Sequence, residues 1–146
     1  MSQLLLDRLK VKDYKRGYVK LSDDSIAILR VSIVDVKPLQ TPLQFDVITV
    51  GGISVIPSED ARNEVKDKPL AEPGKLPTGG WSLLDIVEKQ SAYEEVEYIT
   101  DTKEKYLIMA EMEPLMASKN SNYRNQKGEP IYIINAVTKT SWKKVE

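Results

Sequence analysis

Apolar positions fall in short stretches rich in β-branched and aromatic residues, in one of them alternating with polar ones, a pattern of strands rather than helices. Tyr14 to Leu21 and Ile26 to Val36 carry the β-branched and aromatic residues that strands favour. Between them Ser22-Asp23-Asp24-Ser25 predicts a hairpin turn, with Asp23 and Asp24 as turn formers. Ahead of this hairpin, Gln3 to Val11 predicts a short helix or strand. Ile26 to Val36 is apolar at both parities in its first half, which predicts a central strand covered on both faces. A third strand follows Pro42, where Leu43, Phe45, Val47 and Thr49 alternate with Gln44, Asp46, Ile48 and Val50. Gly51-Gly52 then predicts a turn into Ile53-Ser54-Val55-Ile56.

From residue 57 to residue 80 the texture changes, because Pro69, Pro73, Pro77 and Gly79-Gly80 sit among charged residues. This predicts a long crossover in which only Glu59 to Lys66 suits a helical turn or two. At its end, Trp81 to Gln90 predicts a short helix over residues 82–90: Ser82 is placed as N-cap, Asp85 three positions on as its box partner, and Trp81 with Ile86 as a hydrophobic staple. Tyr93 to Ile99, Lys105 to Glu113 and Ile131 to Lys139 predict three more strands, the first two joined at Thr100-Asp101-Thr102-Lys103. Ser118 to Gly128 is a polar, exposed loop. Together these elements predict one mostly-β domain over residues 1–146, a small barrel or two-sheet sandwich of about six to eight strands with one short helix.

The halves also echo one another. Asp35-Val36-Lys37-Pro38-Leu39 resembles Glu111-Met112-Glu113-Pro114-Leu115, and Thr41-Pro42-Leu43-Gln44-Phe45 resembles Glu129-Pro130-Ile131-Tyr132-Ile133. One reading is an internal duplication in which each half is a hairpin, a Pro-Leu corner and a proline-initiated strand. The other is chance, since eight prolines among many β-branched residues produce short matches.

Composition narrows the chemistry. With 146 residues, 41% of them apolar and 29% charged, the chain falls among soluble globular proteins. It has no cysteine and no histidine, which excludes disulfides, zinc sites built on sulfur or imidazole, thiolate nucleophiles and histidine triads. No apolar run approaches the roughly 20 residues of a membrane-spanning helix, and Met1 to Arg8 does not read as a secretory signal. A cytoplasmic location is therefore expected, and the Lys/Glu-rich, cysteine-free composition leans towards a thermophile.

Catalysis would have to rest on carboxylates, lysine, tyrosine or serine. If the halves are equivalent, Asp35 and Glu111 would work as an acid/base pair or hold magnesium, provided they faced one crevice; strand-end carboxylates are more often simply solvated. Gly51-Gly52, Gly79-Gly80 and Gly74-Lys75 lack the spacing of a phosphate-binding loop. No catalytic residue, metal ligand or cofactor is assigned.

A net charge of −1 argues against a global grip on nucleic acid, yet charge is dealt unevenly: +2 over residues 1–58, −7 over 59–113 and +4 over 114–146. Aromatics and cations interleave at Tyr14, Lys15, Arg16, Tyr18 and Lys20, and again at Tyr123, Arg124, Lys127, Lys139, Trp142, Lys143 and Lys144. On one shared face they would make a groove for single-stranded nucleic acid, with Tyr14, Lys15, Arg16, Tyr18, Lys20, Tyr123, Arg124, Lys127 and Trp142 as its contacts. The alternative is that the tyrosines are half-buried sheet residues and the lysines guard exposed strand edges. The expected function is a non-catalytic binding or assembly module that recognises a macromolecular partner, a protein or a second copy of itself, through a sheet face and loops. A single-stranded nucleic-acid-binding protein and a carboxylate-dependent enzyme are the alternatives.

Overall fold

The alternating segments pair into two antiparallel sheets in the computed structural model, which describes residues 9–39 and 44–145. In chain order they are β1 (Leu9–Lys15), β2 (Gly17–Leu21), β3 (Ile26–Leu39), β4 (Gln44–Ile56), α1 (Glu59–Glu64), β5 (Trp81–Leu84), β6 (Ile86–Gln90), β7 (Ala92–Ile99), β8 (Lys105–Asn120) and β9 (Ile131–Lys144). One sheet runs β4-β3-β2-β6. The other runs β1-β7-β8, with β9 along one side of β8 and the short β5 on the side that β7 vacates after Met112. The result is a mostly-β sandwich, one of the two architectures expected, and not a closed barrel, with nine strands among the described residues rather than about six to eight.

Alternation explains the core. Val19, Leu21, Ala27, Leu29, Val31 and Ile33 face inward from one sheet and meet Val96, Tyr98, Tyr106, Ile108 and Ala110 from the other. β1 and β2 form one bent run that changes sheets at Arg16, and β6 and β7 form another that changes at Ser91, so β1 pairs with β7 while β2 pairs with β6. Strands that switch sheets in this way close the corner of a sandwich. Gly17 sits at the crossing, where a Cβ would lie 2.5 Å from the Ala92 amide nitrogen and 2.7 Å from the Gln90 carbonyl oxygen. The close passage of two backbones therefore requires glycine there.

Each half thus contributes a three-strand meander, β2-β3-β4 and β7-β8-β9, preceded by a strand that pairs with the other half's meander. The echo in the sequence corresponds to this repeat of topology but not residue by residue. The irregularity in β3 falls at Val34, four residues before Pro38, whereas that in β8 falls at Leu115, directly after Pro114. Thr41, Pro42 and Leu43 lie outside the described residues, as does Gln3 to Arg8; Leu9 to Val11 opens β1.

Four sequence expectations are corrected. The expected exposed loop over Ser118 to Gly128 begins later, because Ser118, Lys119 and Asn120 end β8 and the last two are buried. Residues 82–90 are not a helix: Trp81–Leu84 and Ile86–Gln90 are strands, because β8 and β2 offer ladders to pair with, and the Ser82 hydroxyl faces the Lys119 carbonyl oxygen at 3.4 Å instead of capping. The described helix is α1, capped by Ser58, whose Oγ accepts the Ala61 N–H at 3.1 Å, with Glu59 and Asp60 in its first turn. Gly51-Gly52 is not a turn. β4 runs straight through it, pairing Gly51 with Val31 and Gly52 with Arg30, and Gly51 makes room for the Met112 methyl group beneath. Lastly, β3 is central in its sheet but buried on one face only, with Ile26 and Arg30 exposed.

Candidate functional site

The residues expected to contact nucleic acid do not share a face. Tyr14 lies on β1 with the Arg30 guanidinium 5.7 Å from its ring centre. Lys15 pairs across the ladder with Tyr93, and the Arg16 carbonyl oxygen accepts from the Gln90 amide at 2.8 Å. Tyr18 donates to Glu88, whose other oxygen lies 3.6 Å from Lys20. These groups surround the crossing of the two bent runs. Tyr123, Arg124 and Lys127 belong instead to the β8–β9 loop, where Arg124 is engaged with the crossover: its Nε donates to the Lys68 carbonyl oxygen and its amide to that of Pro69, both at 3.0 Å. Trp142 points inward and packs edge-on against Phe45 with ring centres 5.5 Å apart, which makes it part of the core.

Asp35 and Glu111 are likewise apart. Asp35 sits on β3 just past its irregularity and accepts the Val36 N–H at 2.9 Å. Glu111 projects from the other sheet, between Tyr93 and Lys139. Among the described residues no group of three or more carboxylates is placed to hold a metal.

The densest polar chemistry lies where the β2–β3 turn, α1 and the β8–β9 end converge. Asp23 Oδ2 accepts from Tyr132 Oη at 2.7 Å and from Lys119 Nζ at 3.2 Å, and Lys119 also reaches Glu64 at 3.1 Å. The Ser25 hydroxyl lies 3.0 Å from Tyr132 Oη and accepts the Ser58 N–H, while the Ser58 hydroxyl donates to the Asp23 carbonyl oxygen at 2.7 Å. Burial works to raise the Asp23 pKa, but hydrogen bonds from Tyr132, Ser25 and Lys119 together take it below its ordinary value. Burial works to lower that of Lys119, and Glu64 and Asp23 reverse this, so the ammonium holds its proton more tightly than in water. Tyr132 is pushed up by burial and by Asp23. A protonated lysine clamped by two carboxylates is no nucleophile or base at neutral pH, and the serine hydroxyls are spoken for. The cluster is a clasp that fastens one sheet to the other.

Two surface features remain. The crossover folds against the β8–β9 loop through the Ala71 N–H, which donates to the Arg124 carbonyl oxygen at 2.9 Å, and leaves a hollow of about 320 Å³ lined by Leu70, Ala71, Leu76, Pro77 and Tyr123.

The other is the outer margin of β4. The Ile33 N–H donates away from β4, to the buried Glu94 carboxylate at 2.7 Å. Antiparallel strands alternate the direction of their amides, so β3 pairs with β4 through Ile26, Ile28, Arg30 and Ser32, opposite Ile56, Ser54, Gly52 and Val50. The backbone amides and carbonyls of Thr49, Gly51, Ile53 and Val55 therefore point outward. Among the described residues β4 pairs with no strand but β3. Its 13 residues include a single charged side chain, Asp46, and no proline, while Val50 is 55% exposed and Ile53 38%. Sequence reasoning missed this margin because it placed a turn at Gly51-Gly52; the signal available was the β-branched run Val47-Ile48-Thr49-Val50, resumed in Ile53-Ser54-Val55-Ile56 with hardly a charge. The chain matches no protein-family model, no curated protein and no solved structure.

Proposed function

We propose that this protein is a non-catalytic assembly module that joins its partner by strand addition along β4. The observation that carries this reading is the long, nearly uncharged margin itself, since such a row of unpaired amides and carbonyls is a template for another strand, and proteins normally blunt it. The other long margins are blunted: β1 carries Lys10, Lys12 and Lys15, β6 carries Glu88 and Lys89, and β9 carries Lys139, Lys143 and Lys144, while the uncharged margin of β5 is only four residues long. Main-chain hydrogen bonds would supply affinity in such a joint, and the side chains of Val50, Ile53 and Ile56 would supply specificity.

The test is amide hydrogen exchange on the protein recovered in the assembled state it takes in its own cells. Thr49, Gly51, Ile53 and Val55 are expected to be protected there, to the level of amides inside the ladders. Fast exchange of all four in the assembled state rejects strand addition.

A further inference from the structure

Building on that reading, we infer that the strand added to β4 belongs to another protein and brings an aromatic side chain to lie over Gly52, in a hollow on the outer face of the sheet beside Arg30. The two glycines of β4 face opposite ways. A Cβ on Gly51 would strike the Met112 methyl group inside the sandwich, whereas a Cβ on Gly52 would meet nothing within 4 Å. Around Gly52 the side chains of Arg30, Ser32 and Val50, with the backbone of both glycines, line a hollow of about 230 Å³.

Register, shape and charge select what fills it. The Gly52 amide turns towards Arg30 on β3, so Gly52 offers an antiparallel newcomer a non-hydrogen-bonded position. Residues facing across such a position have Cα atoms about 4.5 Å apart, the closer of the two spacings, and a side chain there lies directly over its partner. Two strand spacings, roughly 10 Å, separate the newcomer from β3, a gap that a ring lying over glycine bridges and a valine does not. Arg30 is the one charged side chain between Ile26 and Val34, and β4 has none from Val47 to Ile56. Among the described residues Arg30 has no ion-pair partner, and its guanidinium rests 5.7 Å from the ring centre of Tyr14. A cation held on one ring can face a second; an incoming carboxylate would have to draw it off Tyr14 and shed water against Val50 and the glycine backbone. β4 has a single aromatic, Phe45, buried on its inward face, so β4 of a second copy does not supply the ring.

The test uses the purified chain and fluorescein-labelled peptides of sequence Lys-Val-Thr-Val-X-Val-Thr-Val-Lys, with tyrosine, valine or glutamate at X. By fluorescence anisotropy the tyrosine peptide is expected to bind about fivefold more tightly than the other two. Gly52→Val places its side chain in open space and suits a strand, and it is expected to bind the tyrosine and valine peptides within about twofold of each other. A valine or glutamate peptide that binds the wild type as tightly as the tyrosine peptide overturns the inference, and so does a tyrosine preference that survives in Gly52→Val. Failure of every peptide to bind at about 1 mM overturns it too. Hydrogen exchange in the native assembly then separates the two readings. If Thr49, Gly51, Ile53 and Val55 are protected there, strand addition stands without the aromatic; if all four exchange fast, both readings fall.

Discussion

β4 and β9 are near twins by position and opposites by surface. They are 13 and 14 residues long, each is the last strand of its meander, and each lies at a margin of its sheet. Their inward ends even share an anchor, since Phe45 of β4 sits edge-on to Trp142 of β9 at 5.5 Å and to Tyr106 at 4.9 Å. Outward they diverge. β9 carries Lys139, Lys143 and Lys144, and Lys139 is held over the sheet by Glu113 at 3.0 Å, whereas β4 has Asp46 alone. Two strands under the same topological exposure with different chemistry show that the lysines of β9 are not simply the cost of being an edge. The chain guards one margin and leaves the other open.

The largest expected effect tests whether the two strands really share their anchor. Phe45→Ala removes a ring that contacts Tyr98, Tyr106 and Trp142, and large-to-small changes of this kind cost about 3–5 kcal/mol. Urea unfolding is expected to show that loss, and hydrogen exchange is expected to quicken in β4 and β9 together. Quickening confined to β4 would mean that the strands are anchored separately and that their comparison is accidental.

Next comes the clasp at the base of β9. Lys119→Met leaves Asp23 and Glu64 without their shared ammonium, and breaking a largely buried pair costs up to about 3 kcal/mol, less here because Glu64 is half exposed. The pH dependence separates this from lost packing. Asp23 and Glu64 lie below their ordinary values of 3.8 and 4.5 in the fold, so the unfolded chain binds protons more readily in acid; their stabilisation is present above those values and is lost as pH falls through the depressed ones. Lys119 is raised above 10.5, so its share is present below that value and is lost as pH climbs through the raised one. The wild type is expected to lose stability on both flanks, and Lys119→Met to abolish the alkaline loss and to change the acid one only in part, since Tyr132 and Ser25 still hold down Asp23 and Ser121 still holds down Glu64. A variant that loses stability equally at every pH would reduce the clasp to packing alone. Fast exchange at the start of β9, with β4 unchanged, is the expected local signature.

How much of this was readable beforehand follows from where information is local. Stretches of β-branched and aromatic residues located β2, β3, β7 and the starts of β8 and β9, and period-two alternation located the first half of β4, because strand propensity and burial on one face imprint each strand's own sequence. Residues 81–90 failed for the opposite reason. Ser82 and Asp85 have the spacing of a helix cap, but Leu84 and Ile86 are needed in the core of a sandwich whose partner strands lie more than 30 residues away along the chain at β8 and 60 or more away at β2. Tertiary pairing overrode local propensity. The strand edge that now carries the functional reading was hidden by two glycines, which punctuate turns by default and here serve a close contact with Met112. The clasp was invisible too, since Asp23 lies about a hundred residues from Lys119 and Tyr132 and only the folded sheets bring it to them.

The smallest effect on stability carries the sharpest test of the difference between the margins. Lys139 is more than half exposed and pairs with Glu113 at 3.0 Å and Glu111 at 3.9 Å, the kind of surface pair worth about 0–1 kcal/mol. Lys139→Val combined with Lys143→Val should therefore leave the urea midpoint nearly unchanged while leaving β9 a single charged side chain, Lys144, as β4 has Asp46 alone. If side-chain charge is what keeps β9 from pairing, the double variant gains a mode of self-association that the wild type lacks, seen in sedimentation as larger species that grow with concentration. Restoring one cation at Thr140, by Thr140→Lys in the same background, is expected to suppress them, because what guards an edge is charge near it and not one particular lysine. A double variant that sediments like the wild type would mean that β9 is protected by twist or by its Glu-lined neighbour, and the contrast with β4 would then rest on backbone geometry rather than on charge.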